Sequence, residues 1–397
     1  MNLAGGVHTR DLICLSHLRW NFVFQRPQQL MTRCARSRRV FFFEEPIFDA
    51  VHPELRISRE RGVYVCVPHL PPGLSHAATV AELRHLLCGL QATSKIDRPV
   101  MWYYTPMALE FARECTSSAI VFDCMDELSA FRGAPPELLT LETELLKRAD
   151  LVFTGGQSLY EAKRERHRRV YRFPSSVDVP HFLAARQGQS DPQDQSELPH
   201  PRLGFFGVVD ERMDLHLLDT IAVARPEWQL IILGPCVKID PAALPRRANI
   251  HYLGMKTYEE LPAYLSGWDV ALLPFAKNDS TKFISPTKTP EYLAAGRQVV
   301  STSVRDVVRP YGEQALVRIA DEPADFIRAI EQALAAPQPG WRERVDRMLS
   351  EMSWDRTWDE MASLIDSLSV VTVTQRVGQL PMPGPTDARP RPVTSLA

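Results

Sequence analysis

The sequence predicts an α/β protein built from two doubly wound domains that face a central cleft, and three observations predict it. Short β-rich apolar runs alternate with longer helix-period segments from residue 11 to about residue 320. Within each run the residues are apolar in succession, as strands are when helices cover both faces of a parallel sheet. The alternation stops at residues 186–201 and then starts again, which separates one sheet from a second.

Taken in order, the first domain spans residues 1–185, with runs at Asp11–Leu15, Val40–Phe43, Val63–Val67, Val100–Tyr103, Ile120–Phe122, Leu151–Thr154 and Val170–Phe173. Helical stretches such as Arg26–Ser37, Val80–Leu90, Glu137–Ala149 and Gln157–Arg166 lie between them, the pattern of βα units and not of segregated α and β regions. Residues 186–201 carry almost no apolar residue and three prolines, and read as an exposed linker. The second domain, 202–352, repeats the alternation with Leu203–Val208, Gln229–Leu233, Ile250–Tyr252, Val270–Leu273, Val299–Thr302 and Leu316–Ile319. A helix is expected over 353–370. The last residues, 371–397, are rich in Pro, Gly, Gln and Ser and are expected to stay disordered, because they hold too little apolar surface to offset the entropy of ordering.

Composition bounds the function classes. The chain has 397 residues, 45% hydrophobic and 24% charged, ordinary values for a protein with buried cores. A formal charge of -2 argues against a nucleic-acid binder, which would carry a strongly basic face. The seven cysteines show no C-x-x-C spacing and point to a reducing compartment. Neither a signal peptide nor a long apolar span is legible, so a cytoplasmic protein is expected.

Parallel sheets bind ligands beyond the carboxyl ends of their strands, so the strand–helix junctions are where chemistry is sought. The sharpest is Ser285-Pro-Thr-Lys-Thr-Pro-Glu-Tyr-Leu-Ala-Ala-Gly296, followed by the run Val299–Thr302. Ser285 is placed as the N-cap and Pro286 in the first turn of a helix that ends at Gly296. A helix start attracts phosphate, and Lys288 adds formal charge where the helix dipole alone disfavours it. Glu291, one turn on, is suited to accept hydrogen bonds from ribose hydroxyls. The plainer alternative is an exposed Lys–Glu pair on an ordinary helix.

This segment resembles the donor-site helix of GT-B glycosyltransferases of family 4. That family carries two acids separated by seven residues; the second maps on Glu291, whereas the first falls on Phe283, a departure that leaves the sugar contact open. The segment Leu203-Gly-Phe-Phe-Gly-Val-Val-Asp-Glu-Arg-Met-Asp214 is similar to the family's first strand and loop, whose glycine turn and basic residue hold a diphosphate; these positions match Gly207 and Arg212. Trp228–Pro235, Asn249–Met255 with Tyr258–Tyr264, and Trp268–Phe275 resemble the following strands in order, and Ser353–Leu368 resembles a final helix that crosses back to the first domain. In the first domain, His17, Trp20, Gln25, Arg26 and Gln28 follow the first strand and are placed at the cleft, on the acceptor side. The Gln25-Arg-Pro-Gln28 run is similar to a subgroup linked with bacterial surface polysaccharide, the teichuronic-acid glycosyltransferases; Gln25 and Gln28 capping their helix is the alternative. Asp126, then Asp123, are the candidate catalytic acids beyond the run Ile120–Phe122, with helix-capping acids as the plainer reading.

The resemblance implies two Rossmann-like domains and sugar transfer, with retention, from a nucleoside diphosphate sugar to a hydroxyl of a carbohydrate or lipid-linked acceptor. No Asp-x-Asp triplet is present, so no metal and no cofactor beyond the co-substrate are expected, and Arg212 and Lys288 must meet the diphosphate charge. Basic clusters at Arg33–Arg39 and Arg164–Arg169 are candidates for peripheral membrane contact. Two rivals stand beside this reading: a sugar-nucleotide epimerase of the same architecture, and a non-catalytic nucleotide binder.

Overall fold

The structure is a computed structural model that describes residues 10–377. Eight strands form the first sheet: β1 (Leu12–Leu15), β2 (Val40–Phe43), β3 (Glu54–Glu60), β4 (Val63–His69), β5 (Val100–Tyr103), β6 (Ala119–Cys124), β7 (Leu151–Thr154) and β8 (Val170–Arg172). Their order is β3-β4-β2-β1-β5-β6-β7-β8. All neighbours are parallel except the β3–β4 hairpin. Six strands form the second: β9 (Arg202–Phe206), β10 (Gln229–Leu233), β11 (Ile250–Gly254), β12 (Val270–Leu273), β13 (Gln298–Ser301) and β14 (Val317–Ile319), ordered β11-β10-β9-β12-β13-β14 and parallel throughout.

Why the strands read as unbroken apolar runs is visible in the core. Ile13, Leu15, Phe41 and Phe43 enter the apolar cluster on one face of the first sheet, while Leu12, Cys14, Val40 and Phe42 enter the cluster on the other. Both faces are therefore covered, so alternation would be a defect here. β3 is the strand the sequence hides. Its residues are mostly exposed along an edge, and Glu54-Leu-Arg-Ile-Ser-Arg-Glu60 offers no apolar run to recognise.

The helix Trp354–Val377 lies against the first sheet. Trp354, Trp358, Met361 and Ile365 join the cluster that holds Leu12, Trp102 and Phe153, and the Trp358 and Trp102 rings are 6.2 Å apart. Arg33 and Arg36 both pair with Asp355, Arg38 pairs with Asp366, and Arg39 pairs with Asp11. The first of the two basic clusters thus has internal acidic partners. The helix also runs past residue 370, where the tail was expected to begin; residues 378–397 lie outside the described residues.

Residues 186–201 depart from the expectation of an exposed linker. Gln195 is 0% exposed, and its side-chain amide bonds Asp191, the Tyr264 carbonyl and the Trp268 indole N–H. Arg202 pairs with Asp191 at 2.5 Å. The polar composition builds a hydrogen-bonded seam against the second domain, because buried polar groups must find partners.

Candidate active site between the two domains

In the second sheet the strand order reverses between β9 and β12, the position where open α/β sheets leave a crevice. β9 ends at Phe206, and Gly207 follows with φ +135°. A Cβ on Gly207 would lie 2.1 Å from Lys288 Cε, so only glycine lets the lysine chain cross this turn. Gly234, at the end of β10 with φ +134°, packs equally close: its Cβ would lie 2.0 Å from the Gly207 carbonyl oxygen. Lys288 is the first residue of the helix Lys288–Ala294, which stops before Gly296 at φ +75°. The helix begins later than its sequence suggests. Thr287 and not Ser285 is the N-cap, and Ser285 and Pro286 belong to the loop before it, because Ser285 is pressed against Gly156 of the first domain.

A cavity of about 120 Å³ opens over this turn, bounded by Gly207, Arg212, Pro235, Tyr258, Lys288 and Glu291, with Phe24 and Gln25 of the first domain opposite. Arg212 is held in place by Asp210, a buried carboxylate that takes its Nε at 3.0 Å and its Nη2 at 2.7 Å. Glu291 is 7% exposed, and burial pushes its carboxyl up to about 8 against the pull of Lys288. Burial, helped by Arg212, draws the Lys288 ammonium down to about 8. Two basic side chains and a carboxyl group on one glycine turn suit an anionic ligand bearing hydroxyl groups.

A second cavity of about 90 Å³ lies beside it, bounded by Gln25, Asp126, Ser175, Arg212, Ser285, Pro286 and Lys288. Burial raises the Asp126 carboxyl, with Arg212 acting in the opposite direction. From the first domain, the Phe131 ring reaches across to Arg212 and Lys238, each 5.4 Å from its centroid. The structure therefore brings Gly207, Arg212, Ser285, Pro286, Lys288, Glu291, Asp126, Gln25 and Arg26 around two adjoining cavities.

Three residues expected there, Asp123, Trp20 and Gln28, serve the fold instead, and Arg26, which lines the second cavity, is held by the first of them. Asp123 is 0% exposed and is bound by Arg26, itself 1% exposed, through Nε at 3.0 Å and Nη2 at 2.8 Å; the remaining Arg26 terminal nitrogen donates to the Phe173 carbonyl at 2.8 Å. Asp123 is thus a buried counter-ion and not a reachable acid, and the Arg26 guanidinium is not free for phosphate. Trp20 packs edge-on against Phe42 in the core, and its backbone N–H donates to Glu44. Gln28 is 1% exposed; it accepts the Gln25 backbone N–H at 3.1 Å and donates to the Trp20 carbonyl, so it caps the helix Arg26–Cys34. His17 stands apart from both cavities. Burial, then Lys238 of the second domain, lowers it to about 4, so the ring is neutral at pH 7.

Some of the site has no counterpart among the expected residues. Asp210 was legible only as an acid two positions before Arg212. Tyr258 stacks on His181 at 4.1 Å and lies tilted against Phe24 at 4.5 Å, on one side of the larger cavity. Among the described residues no group of three or more His, Cys, Asp or Glu is placed to hold a metal ion, and no helix is long and apolar enough to cross a membrane.

Residues 200–336 match the family described as Glycosyl transferases group 1. The putative teichuronic acid biosynthesis glycosyltransferase TuaH of Bacillus subtilis (strain 168) is 24% identical over 265 residues, which is 61% of this chain and 65% of that protein. The match thus spans just under two thirds of the relative's length. Among solved structures, sucrose-phosphate synthase from Thermosynechococcus elongatus superposes with a TM-score of 0.67 at 15% identity, covering 91% of this chain and all of that one (100%). The E. coli trehalose-6-phosphate structure bound with UDP-2-fluoro glucose gives 0.66 at 13% identity over 89% of this chain and 98% of its own. Anabaena HepE in complex with UDP and glucose gives 0.62 at 15% identity, covering 90% and 99%. At such identities the structural likeness establishes the fold.

Proposed function

We propose that this chain, which carries a glycosyl transferases group 1 domain on a two-domain GT-B fold, transfers a sugar from a nucleoside diphosphate donor to a hydroxyl of a carbohydrate acceptor in surface-polysaccharide synthesis. One observation carries the reading: Gly207, Arg212, Lys288 and Glu291 meet around a single cavity at the strand-order reversal. The diphosphate would lie on the Gly207 turn between the Lys288 ammonium and the Arg212 guanidinium, with the Glu291 carboxyl group hydrogen-bonded to ribose hydroxyls. The transferred sugar would then enter the second cavity, next to Asp126.

Chemically, a bond forms between the acceptor oxygen and the anomeric carbon while the bond from that carbon to the diphosphate oxygen breaks. The electron pair leaves with the diphosphate, so negative charge grows beside Lys288 and Arg212, which stabilises the departing group more than the bound donor. The acceptor proton passes to Asp126 or to the leaving phosphate oxygen. Within this proposal the anomeric configuration is retained and the two cations do the work that a metal ion does in other transferases. UDP is the natural first nucleotide to try, since two of the structural neighbours are bound to it or to its glucose derivative.

The test is acceptor-dependent release of nucleoside diphosphate across a panel of sugar nucleotides and of free and lipid-linked glycan acceptors. One donor should be consumed faster with acceptor than without, and Lys288→Ala and Glu291→Ala should each slow that turnover. Binding without turnover on any acceptor, or interconversion of the free sugar nucleotide, would overturn the proposal.

A further inference from the structure

The two cavities measure about 120 and 90 Å³. Ligand pockets ordinarily hold about 300–1,000 Å³, so the gap is narrow for a nucleoside diphosphate sugar, and parting of the domains would admit it. One contact that joins the domains lies beside the second cavity without entering its lining. The carboxylate of Asp306, from the second domain, is 6% exposed and receives three hydrogen bonds from the first domain. The donors are the Gln157 N–H at 2.8 Å, the Ser158 N–H at 3.1 Å and the Ser158 hydroxyl at 2.5 Å. Next to it, Arg305 pairs with Glu161 at 2.5 Å. Charged groups are rarely buried without full partners, and Asp306 finds all of its donors on the opposite domain.

The surroundings leave no slack. A Cβ on Gly156 would lie 2.0 Å from Asp306 Oδ2 and 2.7 Å from Ser285 Cβ. One on Gly155 would lie 2.8 Å from the Met125 carbonyl oxygen, at the residue before Asp126. The Gly155–Gly156 turn is therefore wedged between the loop that carries Asp126 and the loop that leads into Lys288. Phe283, in that second loop, packs against the apolar cluster of the first domain that includes Leu141, Leu145 and Leu159. Phe283 is thus an apolar anchor between the domains.

We propose that Asp306, seated on Gln157 and Ser158, and Phe283 form a clasp that sets the position of loop 283–288 against Asp126 when the domains close. Asp306 is then a positioning residue. It touches no substrate, yet it fixes the spacing between the group that holds the diphosphate and the acid on the opposite domain. The clasp deepens the transfer reading in its kinetic consequence only; closure itself can be measured without any turnover.

The experiment uses the full chain and four variants: Asp306→Ala, Gly156→Ala, their double, and Ser158→Ala in case Asp306→Ala yields little folded protein. With saturating UDP, small-angle X-ray scattering should give a larger radius of gyration for each variant than for wild type. Transfer kcat should fall by about tenfold or more for Asp306→Ala and Gly156→Ala, while the UDP dissociation constant and the donor KM move by less than about threefold, because the groups assigned to the nucleotide remain in place. The double variant should be no worse than either single one within about threefold, since both break the same contact. Wild-type scattering from the UDP-bound variants, or losses that multiply in the double, would overturn the clasp. If wild type transfers no sugar, the transfer reading falls while scattering still decides this proposal.

Discussion

Replacing Asp123 by alanine removes the counter-ion of a guanidinium that has no route to solvent. Arg26 is 1% exposed and Asp123 0%, and two hydrogen bonds of 2.8 and 3.0 Å join them. The attraction is strong at this depth, but most of the penalty comes from what remains: a positive charge held in the interior with only the Phe173 carbonyl to satisfy it. Removing one partner of such a pair costs about 3–5 kcal/mol. Against a total stability of about 5–15 kcal/mol, that is about a fifth or more of what keeps a domain folded. Replacing both residues by leucine should cost far less than Asp123→Ala, because apolar substitution of a whole buried pair is often neutral. The assay is urea denaturation followed by tryptophan fluorescence, to which Trp20, Trp102, Trp354 and Trp358 contribute from the first core and Trp228, Trp268 and Trp341 from the second, with the midpoint compared at unchanged slope. A loss below about 1 kcal/mol for Asp123→Ala would refute the reasoning and return Asp123 to the cleft as a reachable acid.

Two other outcomes follow from the donor cavity. Gly207→Ala forces a side chain at φ +135° and drives its Cβ to 2.1 Å from Lys288 Cε, so UDP affinity measured by calorimetry should drop at least about tenfold, with the fold kept by circular dichroism. Burial pushes the Glu291 carboxyl up and draws the Lys288 ammonium down, both to about 8, so in the free protein a proton leaves this pair as pH rises through that value. Loss of that proton makes the cavity more negative whichever group gives it up. UDP affinity should therefore fall above about pH 8, by up to about tenfold per unit, and Lys288→Met should flatten the profile. A flat wild-type profile would contradict the assignment.

What could be read from the sequence depended on whether partners were local. β1, β2 and β5 announce themselves because both faces are buried, whereas β3 is an exposed edge and looks like a loop. Lys288 and Glu291 were legible as a pair on one helix turn, and the Gly207 turn by its position after an apolar run. Trp20, Gln28 and Asp123 were misplaced for a common reason: polar residues just beyond a buried strand suggest a site unless the partner is known. The partner of Arg26 is 97 residues away, and no spacing rule reveals it. Residues 186–201 misled in the same manner, since the carbonyl that Gln195 bonds and the indole that bonds it lie in Tyr264 and Trp268, far along the chain. Phe283 stood out as a departure in sequence, but its packing against the other domain needed the folded chain.

The most direct measurement is a crystal structure of the full chain with UDP bound. Diphosphate oxygens within hydrogen-bond reach of Lys288 Nζ and the Arg212 guanidinium, over the Gly207 turn, with ribose hydroxyls on the Glu291 carboxyl group, is the arrangement predicted. UDP bound elsewhere, or seated with its ribose turned away from Glu291, would contradict it.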